Sequence, residues 1–214
     1  VSGSEVKRLE LSFSGVSGSK ASVWLSRLFV LPDYLRTDQA ITFSDARLAW
    51  NVAGETAFQG SMRTGTGQSV SMELQKAKEG LRISRLVVED GFSRATLNIS
   101  ILDQEKRFSF NGKLDASTVQ ALLRFPQVQG GIVQGDFSAG FISGRPESFS
   151  AQGRLQCNKM TVPWRNSTIM VESGLLKGEG KRILIESADL VLPDNRLLLN
   201  GSIQARADAL HLNM

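Results

Sequence analysis

Few residues in this sequence have side chains that could support catalysis or metal binding, and they lie far apart. The 214-residue chain contains one histidine, His211, and one cysteine, Cys157. A serine hydrolase needs a base beside its nucleophile, and structural zinc needs four nitrogen, sulfur or oxygen ligands. One imidazole and one thiol supply neither, and the carboxylates form no aspartate-rich calcium loop. We therefore predict no metal, no cofactor and no enzymatic activity.

The other patterns with a chemical interpretation are better explained by strands and turns. The stretch "GTGQS", at positions 65–69, is glycine-rich like a phosphate-binding loop. It lacks the Gly-Lys-Ser/Thr ending and a following helix, so we predict a hairpin loop. Cys157 and His211 each alternate with leucines and are expected in strands, Cys157 as a small buried residue. Paired carboxylates for glycoside hydrolysis depend on spatial pairing, and we expect the strand residues Glu73, Glu172 and Glu186 at the surface.

Composition favours one folded domain over residues 1–214. Apolar residues make up 41% of the chain, which is too much for a disordered segment. The net charge of +4 comes from 25 basic and 21 acidic residues, interleaved without long runs of one sign, so nucleic acid is not indicated. No stretch of about 18 apolar residues could span a membrane as a helix. Because the sequence begins at Val1, we expect it to be a segment of a longer protein.

Alternation of apolar and polar residues dominates the chain and indicates half-buried β-strands. Turn signals such as "KEG" at 78–80 and "LPDN" at 192–195 separate the alternating runs at the spacing of a mainly antiparallel protein. We predict about a dozen short strands. Examples of apolar residues that share one side of a strand are Leu9, Leu11 and Phe13; Val70, Met72 and Leu74; and Leu97, Ile99 and Ile101.

One segment has helical rather than strand periodicity. In "DASTVQALLRFP", at positions 115–126, Val119, Leu122 and Leu123 fall at helical spacing. Asp115 can cap the first turn and Pro126 stops the run. We predict one short helix that lies against an end of the sheet and covers apolar surface.

A ladder that contains a glycine recurs along the chain. Examples are "RFSFNGKL" at 107–114, "SFSAQGRL" at 148–155 and "RLLLNGSI" at 196–203. The ladder glycines are Gly15, Gly60, Gly112, Gly153 and Gly201, separated by 45, 52, 41 and 48 residues. This ragged period favours a wide meandering sheet, in which each glycine permits a bulge or a strong bend. Ordinary strand glycines in a closed β-sandwich are the alternative.

The repeat units resemble those of the AsmA-like proteins of the Gram-negative envelope. The segments "FSDARLAWNVAGETAFQGSM" at 43–62 and "IESADLVLPDNRLLLNGSI" at 185–203 share an Ala-x-Leu run, a turn and the glycine ladder. The strand-then-helix segment "FNGKLDASTVQALL" at 110–123 is also similar to that group. The resemblance implies a β-sheet curled into an open groove with an apolar inner face. It also implies a periplasmic, non-enzymatic protein that transports lipid for outer-membrane biogenesis and is anchored in the inner membrane through a part outside this chain.

The resemblance and the alternation together identify candidate residues for an apolar lipid groove. A dozen strands about 4.8 Å apart would form a sheet roughly 60 Å wide, which must curl. Phospholipid or glycolipid is the expected ligand, with a membrane and envelope proteins as partners and no nucleic acid. Ser109, Asn111 and Lys113 are expected to face water. The candidate groove residues are Phe13, Phe58, Met62, Phe108, Phe110, Leu114, Phe149, Leu155, Leu199 and Ile203.

Two other functional classes are compatible with the alternation. A structural or interaction module of the cell envelope, of the secretion-apparatus or adhesin type, would close its apolar faces against each other. A carbohydrate-binding protein or enzyme would need aromatic side chains on an exposed face, and Trp24, Trp50 and Trp164 are the candidates. Core or rim positions are the simpler expectation for Trp50 and Trp164.

Overall fold

The protein is a single antiparallel sheet with one short helix. A computed structural model of the chain describes residues 8–13, 17–18, 41–51, 54–122, 130–164, 167–192, 195–206 and 209–213. Its fourteen strands belong to one sheet that is not closed into a barrel. The sandwich alternative is therefore wrong, because the described residues contain no second sheet that could pack against the first. The strands are β1 (Arg8–Phe13), β2 (Ser17–Gly18), β3 (Ile41–Asn51), β4 (Thr56–Thr64), β5 (Ser69–Ala77), β6 (Gly80–Glu89), β7 (Arg94–Leu102), β8 (Glu105–Asp115), β9 (Ile132–Ile142), β10 (Arg145–Trp164), β11 (Ser167–Gly180), β12 (Arg182–Val191), β13 (Arg196–Arg206) and β14 (Ala209–Asn213), and the helix is α1 (Ala116–Leu122).

From β3 to β14 the sheet is a simple meander in which each strand pairs with the next one along the chain, while β1 and β2 both pair with β3. Successive connections therefore alternate between the two ends of the sheet. We call the end that carries α1 the helix end, and it also carries the turns at 65–68 and 90–93. We call the other the hairpin end, with turns at 78–79, 103–104 and 143–144. The predicted hairpin loop at 65–69 is confirmed as a turn followed by β5.

Strand register places apolar side chains on one face of the sheet, because residues paired across neighbouring strands share a face. We call this face the apolar face and the other the polar face. One row of paired residues crosses eight strands on the apolar face: Leu48, Phe58, Leu74, Ile83, Ile99, Phe108, Ala139 and Ala151. A second row crosses eleven strands: Gly60, Met72, Leu86, Leu97, Phe110, Phe137, Gly153, Gly178, Ile183, Ile203 and Leu212.

The apolar face holds two buried clusters. One contains Phe43, Ala46, Leu48 and Phe58, with Trp50 partly buried against it, which confirms the core position expected for Trp50. The other contains Phe137, Phe149 and Ala151, and Ile183 packs against it. Because β11 lies between Ile183 on β12 and the residues on β10, this contact requires the sheet to curl toward its apolar face. Gly178, the residue between them on β11, has no side chain to obstruct the contact.

Gly112 and Gly153 allow close approach of neighbouring strands, whereas Gly60 and Gly201 lie beside bulges on β3 and β12. A Cβ atom added to Gly153 would lie 2.0 Å from the carbonyl oxygen of Asp136 on β9. The register shifts lie between Ser44 and Arg47 on β3, between Ile83 and Leu86 on β6 and between Ile185 and Ala188 on β12. Gly60 faces the first of these bulges, since its added Cβ would lie 2.7 Å from the Cα atom of Ala46. Gly15 lies outside the described residues.

Helix α1 lies across the helix end of the sheet, where sequence periodicity placed it. Asp115 caps it, because its carboxylate accepts a hydrogen bond from the backbone N–H of Ser117 at 2.9 Å. Thr118 is fully buried. Its hydroxyl donates a hydrogen bond to the carboxylate of Asp90 at 2.7 Å, and the same hydroxyl lies 2.6 Å from the hydroxyl of Ser93. These bonds attach the helix to the turn between β6 and β7.

The carboxylate of Asp90 is held ionised by this network. Burial raises its pKa, but hydrogen bonds from the Thr118 side chain, from the backbone N–H groups of Phe92 and Ser93, and from Gln68 outweigh that effect. The net result is a pKa below the ordinary value of 3.8. A lowered folded-state pKa adds stability above the unfolded-state pKa, and this contribution is lost as the pH falls through the folded-state value.

We expect Thr118→Val to lower the free energy of unfolding by about 2 kcal/mol at pH 7, because it leaves a buried Ser93 hydroxyl and the Asp90 carboxylate short of a partner. The difference from the wild type should shrink in acid, as the pH falls below the ordinary aspartate pKa of 3.8 and through the lower pKa of Asp90 in the folded state. Urea unfolding of both proteins between acid and neutral pH measures this. A difference that stays constant across that range would show that Thr118 acts through packing alone.

Candidate functional site

The apolar face is the candidate binding surface, and register places the predicted groove residues along it. Phe58, Phe108, Phe110 and Ile203 lie in the two apolar rows. The others pair with apolar-face positions or pack among them: Met62 with Val70, Leu114 with Val133, Leu155 with Leu176, Leu199 with Ala188, and Phe149 in the cluster with Phe137. Phe13 pairs through its backbone with Ala46, and its side chain is outside the described part.

The predicted groove residues differ in depth. Phe58, Phe110 and Phe149 have only 2 to 3% of their surface exposed and belong to the closed interior of the curl. Met62, Phe108, Leu114, Leu155, Leu199 and Ile203 are partly exposed. The apolar face therefore consists of closed stretches, where side chains pack against each other, and stretches that remain accessible.

The most exposed aliphatic side chains of the apolar face were not among the predicted groove residues. Ile101 is 51% exposed, Leu197 is 43% exposed and Leu212 is 51% exposed. Register places all three on the apolar face, opposite Lys106, Leu190 and Ile203 respectively. Exposed aliphatic side chains that continue a buried apolar surface are typical of a binding face.

The residues considered for catalysis are not brought together. Within the described ranges, no group of three histidine, cysteine, aspartate or glutamate side chains is placed to hold a metal ion. His211 is an exposed residue of β14, as the alternation predicted. Cys157 is half-buried on the apolar face, and burial raises the pKa of its thiol, which disfavours the nucleophilic thiolate. Glu73, Glu172 and Glu186 lie in strands, on β5, β11 and β12.

Comparisons of the chain with family models, with curated proteins and with solved structures found no match. In the described part of the chain, no helix has the length and apolar character needed to cross a membrane.

The aromatic positions give the carbohydrate hypothesis no support: Trp24 and the Trp164 side chain lie outside the described set, and Trp50 packs in the interior.

The polar face is hydrophilic and carries exposed ion pairs. The Arg154 guanidinium lies 3.8 Å from Glu186, and Arg196 binds Asp189. The hydrogen bond from Arg196 is the main reason that the pKa of Asp189 lies below its ordinary value. Exposed pairs of this kind add little stability, typically under about 1 kcal/mol each. Asn111 and Lys113 are exposed on this face and Ser109 partly so, as the alternation predicted.

The polar face also contains a concavity that the sequence did not indicate. Its volume is about 810 Å³, and it lies toward the hairpin end over β6 to β10. Two rows of polar-face residues line it, one with Arg82, Ser100 and Arg107 and the other with Asn98, Ser109 and Ser138. Serine, asparagine and arginine at the polar positions of successive strands were visible in the sequence. Their alignment across the strands depends on register, which alternation alone does not specify.

Proposed function

We propose that this chain is a non-enzymatic lipid-binding segment that holds the acyl chains of phospholipid or glycolipid on its apolar face. The observation that supports the proposal is the continuity of that face: paired apolar residues and glycines cross the sheet from β3 to β14 without a charged residue in the two rows. An acyl chain needs a dry surface of this kind, because burying its methylenes gains about 0.8 kcal/mol each.

The geometry also suits transport along the sheet rather than storage in a cavity. The sheet is not closed into a barrel, so lipid could move along the face without passing through a closed wall. Together with the resemblance to AsmA-like proteins, this supports a role in the periplasm in lipid transport for outer-membrane biogenesis. The segment would be held at the inner membrane through a part outside this chain, in contact with other envelope proteins.

The test introduces charge where the apolar face is exposed. We expect the double variant Ile101→Lys/Leu197→Lys to fold and to bind fluorescent phosphatidylcholine about tenfold more weakly, because buried lysine in contact with an acyl chain is unfavourable. Both positions are at least 43% exposed, so the folded protein can accommodate lysine there. Titration of the zwitterionic lipid probe, combined with native mass spectrometry for co-purifying lipid, measures the change.

Leu198 provides a matched control, since it neighbours Leu197 but lies on the polar face with 78% exposure. The double variant Asn111→Lys/Leu198→Lys adds the same charge to exposed polar-face positions and should bind lipid like the wild type. Equal loss in both variants would mean that charge, not the apolar face, controls binding. A compact wild-type protein that carries no lipid and takes up none would contradict the proposal and favour the envelope interaction module.

A further inference from the structure

The polar-face concavity has features of a binding site that the proposed lipid function does not use. Most of the residues that line it occupy polar-face positions, and the lining also includes five residues of the first apolar row, Ile83, Ile99, Phe108, Ala139 and Ala151. Its volume of about 810 Å³ falls within the range of small-molecule sites. Hydroxyl, amide and guanidinium groups line it together with apolar side chains such as Ile99, Phe108 and Phe141, and no tryptophan or tyrosine is among the lining residues.

Ser100 is the unusual residue in this concavity. It is only 8% exposed, and its Oγ atom is buried without a hydrogen-bond partner. Buried hydroxyl groups in proteins are almost always hydrogen-bonded, so an orphan inside a concavity indicates a partner that comes from outside the chain. Ser100 on β7 pairs in register with Arg82 on β6 and with Arg107 on β8.

The two arginines supply positive charge on both sides of the orphan hydroxyl. Their Cα atoms are two strand spacings apart, about 10 Å, which their long side chains can span. Arg82 has no ion-pair partner in the described portion of the chain, and both arginines are exposed. Arg107 binds Glu105 through its Nε atom, and the two terminal nitrogens of its guanidinium carry the other N–H donors. Paired guanidinium groups and a hydroxyl donor are a suitable arrangement for an oxyanion.

The second polar row extends the concavity beyond the size of a simple anion. The Asn98 side chain and the Ser109 hydroxyl are hydrogen-bonded at 2.8 Å, and Ser138 pairs with Ser109 in register. Such groups can bind several hydroxyls of a ligand next to the oxyanion position. We propose that this concavity binds a phosphorylated sugar or polyol, with the phosphate between Arg82 and Arg107, the Ser100 hydroxyl donating to it, and the ligand hydroxyls on the row of Asn98, Ser109 and Ser138.

Isothermal titration of the wild-type chain with inorganic phosphate, glucose 6-phosphate and glucose tests this proposal. We expect glucose 6-phosphate to bind more tightly than phosphate, because it contacts both rows, and glucose to bind most weakly. Arg82→Gln should weaken binding of glucose 6-phosphate about tenfold through the loss of a charged, bidentate donor. Arg94→Gln removes an equal charge from the same face outside the concavity, where Arg94 is 84% exposed, and should change binding less than about twofold.

Ser100→Ala separates a ligand role from a structural one. Since the Oγ atom has no partner in the protein, the variant should unfold at the same temperature as the wild type or higher, yet bind glucose 6-phosphate about fivefold more weakly. A fall in melting temperature would show that the hydroxyl supports the fold and would contradict the proposal. Equal losses of binding in Arg82→Gln and Arg94→Gln would overturn it. No binding of phosphate or glucose 6-phosphate would also overturn it if vesicles that contain phosphatidylglycerol are not bound either.

The phosphate and hydroxyls could belong to a soluble molecule or to a lipid headgroup. Flotation with phosphatidylcholine vesicles, with and without phosphatidylglycerol, distinguishes these sources because phosphatidylglycerol carries glycerol on a phosphate. Binding to the soluble sugar phosphate alone identifies a free solute. A lipid headgroup is identified if the protein binds only vesicles that contain phosphatidylglycerol. That binding should be lost in Arg82→Gln and kept in Ile101→Lys/Leu197→Lys. Absence of both interactions contradicts the proposal and leaves the lipid function of the apolar face unaffected.

Discussion

Replacing Gly153 by alanine is expected to lower the free energy of unfolding by about 3 to 4 kcal/mol. Gly153 has a φ angle of +90°, which an L-residue with a side chain adopts only at a cost of about 1 to 2 kcal/mol. The new Cβ would also lie 2.0 Å from the carbonyl oxygen of Asp136, which is part of the backbone of β9. Either β9 or β10 must move, and the pairing between them would be disturbed.

Gly174 on the neighbouring strand β11 is a matched control for this change. It also lies on the apolar face, opposite Cys157, and its nearest contact for an added Cβ is 3.4 Å, to Val171 Cγ1. Its φ angle is not positive, so Gly174→Ala should change the stability by less than about 1 kcal/mol. Urea unfolding monitored by circular dichroism compares the two variants. Similar losses would show that backbone conformation and strand approach do not explain the glycine at 153.

The second large effect is expected for Phe110→Ala, at about 3 to 5 kcal/mol of lost stability. Phe110 is 3% exposed and pairs with Leu97 on β7 and Phe137 on β9. Truncation at this position removes a large buried ring and leaves a cavity that the sheet can fill only by moving both neighbouring strands. Thermal or urea unfolding of the purified variant measures the loss.

Ile101→Ala is the matched control for Phe110→Ala, because it truncates an exposed residue on the same face of the sheet. Ile101 lies on the same face but is 51% exposed, so the same kind of truncation should cost less than about 1 kcal/mol. A large difference would establish that the apolar face has a closed interior around Phe110 and an accessible margin at Ile101. Similar costs would contradict this division and imply that the face is uniformly open or uniformly closed.

The sequence predicted the type of fold and the residues of one face well. Alternation at Leu97, Ile99 and Ile101 correctly placed those residues on the same side of β7, and helical spacing after Asp115 correctly placed α1. These features are local, since the direction of a strand side chain depends on its parity and a helix start depends on its cap. For the same reason, the nine groove candidates whose side chains are described all belong to the apolar face.

The depth of each candidate depended on the curvature of the sheet, which alternation does not encode. Phe108 and Phe110 have the same pattern in the sequence, yet Phe108 is partly exposed and Phe110 is buried. The curl of the sheet brings Ile183 against the cluster of Phe137 and Phe149, and the partly exposed Phe108 packs against the same cluster. Bulges such as the one between Ile83 and Leu86 on β6 also alter register and twist locally.

The sequence by itself determined that this chain is a strand-rich protein with one apolar and one polar face, because side-chain parity is a property of each strand. Only the tertiary structure decided that the strands form one unclosed sheet, which residues lie deep in it, and that Arg82, Ser100 and Arg107 align across three strands. Alignment and depth depend on register and curvature, which arise from pairing between residues that are distant in the chain.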